Sequence, residues 1–124
     1  MNKFYLLLLP LLIALSSSCA FTDPLVRAQS LSQKGKFEEA IKVLESEQKK
    51  QPNSIPIKSI LAQTYSDYGL TLCQDTSKPP KVKYTQAKEQ FSMALELNPY
   101  LSEAKEMHEM IEKIQASFKA NKVD

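Results

Sequence analysis

Beyond the first twenty residues, apolar side chains recur at steps of three and four, the period of a helix face rather than the alternation of a strand. Leu25, Ala28 and Leu31 predict a first amphipathic helix, and Phe37, Ala40 and Leu44 a second that Pro52 closes. Ile57, Leu61, Tyr65, Tyr68 and Leu72 follow at steps of 4, 4, 3 and 4, so a long third helix is expected to reach about Cys73 through Gly69. Gln74 to Pro80 reads as a loop, because Lys78 precedes a proline and the pair Pro79-Pro80 resists helix. A fourth helix is expected from near Lys81, carrying Tyr84, Ala87 and Phe91 and ending before Pro99. Ala104, Met107, Ile111, Ile114 and Phe118 predict a fifth. The expected fold class is all-α, built of antiparallel helix pairs.

Two of these helices share one spacing. Phe37, Ala40, Leu44 and Pro52 are separated by 3, 4 and 8 residues, and so are Tyr84, Ala87, Phe91 and Pro99. Small Ala28, Ala40, Ala62, Ala87 and Ala94 let helix axes approach to about 8–10 Å, while Phe37, Tyr84 and Phe91 fill the adjacent grooves. Gly35 suits a tight turn that needs positive φ. Asp23-Pro24 reads as an N-cap followed by proline at the first helical position, and Asn53 or Ser54 is placed to cap the third helix.

The closing prolines are 47 residues apart, one 34-residue period with 13 residues inserted. From about Thr22 to Tyr100 the sequence resembles the tetratricopeptide repeat family, most closely at Gly35-Lys36-Phe37-Glu38-Glu39-Ala40 and Ala94-Leu95-Glu96-Leu97-Asn98-Pro99. It departs from that family in lacking the first-helix tryptophan, with Pro24 and Lys58 in its place, and in placing Glu47 where a small residue is usual. The resemblance implies about two repeats, 22–54 and 55–100, the second with an extended hairpin, then a capping helix over 101–120 and a tail over 121–124. It also implies a concave groove for an extended peptide or a helix of a protein partner. Carried over by position, its candidates are Gln29, Ser32 and Gln33 with Ser59, Gln63, Ser66 and Asp67. Family members that clamp a carboxylate use lysine and asparagine there; glutamine and serine suit backbone hydrogen bonds instead. The same residues read equally well as the solvated side of the stack.

The N-terminus is a different kind of segment. Lys3 precedes an uncharged run from Phe4 to Leu15, followed by Ser16-Ser17-Ser18-Cys19-Ala20. A positive start, an apolar stretch of about 7–15 residues and small residues after it mark a secretory signal, expected over 1–18. The run falls short of the roughly 20 residues that span a bilayer. Its end resembles a bacterial lipoprotein signal, in which Cys19 would carry the lipid at the head of a short 19–21 linker; Ser16 stands where that family usually has leucine. The resemblance, with Ala20 after the cysteine, implies the outer membrane rather than the inner. Cleavage after Ala20 is the alternative and would leave a periplasmic or secreted protein.

Composition narrows the chemistry. With 43% hydrophobic and 24% charged residues, two glycines, no tryptophan and a net charge of +2, the chain offers neither a glycine-rich phosphate loop nor an electrostatic case for nucleic acid. Cys73 reads as a small apolar residue, and His108, the single histidine, as a helix-surface residue. No metal-ligand spacing or nucleophile–base motif appears, so no cofactor, metal or enzymatic activity is expected. Lys78, Lys81 and Lys83 at the hairpin tip are candidate contacts for an acidic partner or lipid headgroups, or simply a solvated loop. The stripe from Ala104 to Phe118 is expected to cap the stack. Its alternative use is to join copies of the chain into a self-associating envelope protein. The functional expectation is a non-enzymatic adaptor or assembly scaffold at the envelope.

Overall fold

A computed structural model describes residues 23–121. The expectations that fall on 1–22, Cys19 among them, and on 122–124 lie outside the described residues. Five helices run in order: α1 (Pro24–Gln33), α2 (Phe37–Lys50), α3 (Ile55–Gln74), α4 (Pro80–Leu97) and α5 (Ser102–Ala120). No strand occurs among the described residues, and the chain is all-α as expected. Each helix packs on the next, α3 also reaches back to α1, and the α3–α4 interface is the most extensive. Neighbours are antiparallel: Phe37 at the start of α2 stacks on Tyr68 late in α3, with ring centroids 5.3 Å apart.

Local chemistry sets the helix ends. The Asp23 carboxylate accepts from the Leu25 N–H at 2.9 Å, and Pro24 opens α1, where its missing N–H costs nothing. Gly35 lies at φ 73°, and the amides of Gly35 and Lys36 donate to the Ser32 and Leu31 carbonyls, each at 2.9 Å. This left-handed closure turns α1 into α2. Ser54 rather than Asn53 takes the N-cap position of α3, yet its side chain caps nothing. Pro56, second in the helix, has no N–H, which removes one of the donors a cap would take. The tip loop spans 75–79, so α3 keeps Gln74 and α4 starts at Pro80.

The core is made where alanines let helices close on large side chains. Ala28, Ala40, Leu44, Ala62, Ala87, Phe91, Ala94, Ala104 and Ile111 are all fully buried. Phe91 is the largest of these, and it lies against Gly69: a Cβ there would sit 2.8 Å from Phe91 Cε1. The glycine that interrupts the helical pattern is therefore the seat of the aromatic ring. Along α5, Ala104 and Ile111 are buried, Met107 packs against the core, and Phe118 emerges with 46% of its surface exposed. The apolar stripe is thus largely used inside the chain, and only its end is open.

Candidate functional site

α1 and α3 lie side by side with the head of α2 between them, and the resulting concavity encloses about 500 Å³. Gln29, Ser32 and Gln33 come from α1, and Ser59, Gln63 and Asp67 from α3. On α1 these positions stand at i, i+3 and i+4 and on α3 at i, i+4 and i+8, spacings that gather them on one face each. Six of the seven residues carried over from the repeat resemblance therefore share one wall. Ser66 does not. It is fully buried, in line with Ala62 and Gly69 at i−4 and i+3, on the stripe that meets α4 rather than the groove. Its hydroxyl has no hydrogen-bond partner among the described residues.

Asp67 apart, the polar groups of the groove are neutral donors and acceptors. Gln63 Nε2 donates to Asp67 Oδ1 at 2.9 Å, which holds both side chains along α3. The Thr64 hydroxyl donates to the Ile60 carbonyl at 2.8 Å and lies 3.5 Å from Ser32 Oγ, linking the two walls. Asp67 is the single charged group in the lining. Phe37, Ile60 and Thr64 complete the lining and were not among the sequence candidates. Ile60 and Thr64 each follow a candidate, Ser59 and Gln63, and stand seven and three residues before Asp67, so helical spacing from Asp67 could have found them.

Beside the groove, α3 is fastened to α2 by two phenols. Tyr65 Oη donates to Glu45 Oε1, and Tyr68 Oη to Glu38 Oε1, each at 2.9 Å. Burial, followed by those carboxylates, raises both phenols above the usual tyrosine value. They stay protonated donors and pin the floor on which the groove rests.

The three tip lysines do not act as one patch. Lys78 Nζ donates to Gln86 Oε1 at 2.9 Å and lies 3.8 Å from Asp75 Oδ2. Lys83 Nζ stands 5.3 Å from the centre of the Tyr84 ring. Lys81 faces the other way, into a second and larger groove of about 800 Å³ between α4 and α5. Asp75 is held below the usual carboxylate value by the Ser77 hydroxyl, then by the Ser77 N–H. The half-buried Cys73 thiol is pushed up by burial, which Lys83 partly offsets, so the thiolate needed for nucleophilic work is disfavoured.

The α4/α5 groove carries no sequence motif. Pro79, Pro80 and Phe118 supply apolar surface, and Lys81, Lys88 and Lys119 stand along it, with Lys88 Nζ 2.8 Å from Glu112 Oε1. His108 is half-buried on α5, and no group of three metal-ligating side chains occurs among the described residues. No protein-family model matches the chain, and no curated protein or solved structure matches it either.

Proposed function

We propose that this chain is a non-enzymatic adaptor of the tetratricopeptide kind, held at the bacterial envelope by lipid on Cys19, that takes an extended segment of a protein partner between α1 and α3. The observation that carries the reading is the shared wall of Gln29, Ser32, Gln33, Ser59, Gln63 and Asp67. A glutamine amide donates and accepts at once and so matches a peptide unit, whereas the absence of lysine from the lining disfavours a carboxylate clamp. Pull-down from envelope extracts tests the groove. The full chain is expected to recover a specific protein that the Gln29→Arg/Gln63→Arg variant does not. Recovery of nothing specific, or of one protein equally by both, would count against the adaptor.

The anchor rests on Cys19 directly after the signal-like segment, and Ala20 favours the outer membrane. Intact mass of the mature protein tests it: a diacyl- or triacyl-glyceryl Cys19 is expected. A free Phe21 terminus would rule out the anchor and leave a periplasmic or secreted adaptor.

A further inference from the structure

The last helix borders two unlike surfaces. One borders the α4/α5 groove, where Lys81, Lys88 and Lys119 outnumber Glu89 beside Pro79, Pro80 and Phe118, and neither Lys81 nor Lys119 forms an ion pair among the described residues. The other holds Glu103, Glu106 and Met110 on α5, with Tyr100 in the turn just before the helix. Tyr100 is 93% exposed and Met110 44% exposed, and both glutamates are exposed and unpaired among the described residues. One surface is a hollow with a cationic rim; the other is a ridge with acidic groups between two apolar ends.

At 3.6 residues per turn, Glu106 stands about 180° around α5 from Gln115, which lines the groove, so one molecule cannot place its own ridge in its own hollow. The groove follows α4 from Pro80 to Ser92, about 18 Å at 1.5 Å per residue, and the helical part of the ridge, Glu103 to Met110, covers about 10 Å, so the shorter ridge can lie within the longer groove. Charge and apolar content agree, and both partners belong to this chain.

We infer that the α4/α5 groove receives the Tyr100–Glu103–Glu106–Met110 ridge of a second copy, head to tail. Glu103 and Glu106 meet Lys81 and Lys119, while Tyr100 and Met110 cover Phe118 and the proline pair. Such a contact joins unlike surfaces, so it propagates into a ring or an open row rather than stopping at a dimer. It leaves the α1/α3 groove free, and it stands whether or not the adaptor reading does. Rows of copies would offer repeated grooves to one partner, and avidity would then add to the affinity of each.

The test uses the full chain with a photo-crosslinking benzoylphenylalanine at position 100. Irradiation is expected to give a ladder of multimers, with the crosslink mapping to 79–92 or 115–119 of another copy. Salt near 1 M, where the Debye length is about 3 Å, should reduce the crosslinked fraction. Lys81→Glu/Lys119→Glu should reduce it about tenfold or more, as should Glu103→Lys/Glu106→Lys, and mixing the two variants should restore it. A monomer at every concentration, crosslinks only to other proteins or to other regions of the chain, or no rescue on mixing would overturn the inference. Unchanged helical content in each variant separates lost docking from lost folding.

Discussion

The two hairpins use one spacing and close in different ways. In the first, α1 and α2 are 10 and 14 residues long and turn through Gly35. In the second, α3 and α4 are 20 and 18 residues long and turn through a proline-closed loop. Ala40 and Ala87 are equally buried, and so are Leu44 and Phe91, so the repeated positions do the same packing work. What the longer hairpin adds is a glycine opposite a ring. Its extension also brings Tyr68 onto Phe37, so the insertion in the second hairpin completes the first. Length added to one repeat has become support for its neighbour.

The comparison is broken most directly at its largest side chain. Phe91→Ala is expected to destabilise the protein by about 3–5 kcal/mol in chemical denaturation, the upper part of the range of about 2–5 for Leu44→Ala in the shorter hairpin, and to exceed the Leu44→Ala loss. Equal or reversed losses would mean that the two interfaces are packed alike. A Gly69→Val substitution forces side-chain atoms into the Phe91 ring and should cost about 1–3 kcal/mol, although valine is a better helix former than glycine. Phe91→Leu in that background should cost less than in the wild type, as a double-mutant cycle would read.

The first helices of the hairpins differ by a cap. Asp23→Ala should lose about 1 kcal/mol, because a side-chain bond to Leu25 goes with it, whereas Ser54→Ala should change stability by at most a few tenths. Opposite in sign is Ser66→Ala. Its hydroxyl is buried without a partner among the described residues, so removal should be neutral or stabilising by up to about 1 kcal/mol. A clear loss of stability there would mean that the hydroxyl is satisfied in solution.

Much of the fold was legible because its signals are local. Gly35, the proline pair at 79–80, and the closing Pro52 and Pro99 mark the turns, and the steps of three and four set the buried faces. The α1/α3 candidates came from the repeat resemblance, carried over by position, and steps of three and four are what gather six of them on one groove. Ser66 was misplaced because its neighbours on α3 do not decide its side; the approach of α4 along Ala62 and Gly69 does. The lysines at the tip separate for a similar reason. Lys81 turns toward α5, and no short-range pattern records where a later helix will lie. The α4/α5 groove is least legible of all, because it arises where two helices leave space between them.

Helix follows helix here with each packed chiefly on its neighbour in sequence, and the α1–α3 contact skips a single element. Such a topology has low contact order: few loops must close over long stretches of chain before packing begins to reward them. Helical proteins of this kind fold in microseconds to milliseconds. The elements can also assemble in the order in which they arrive, from either end of the chain. A polypeptide that reaches its destination unfolded would need little time, and little protection from its surroundings, before all five helices were in place.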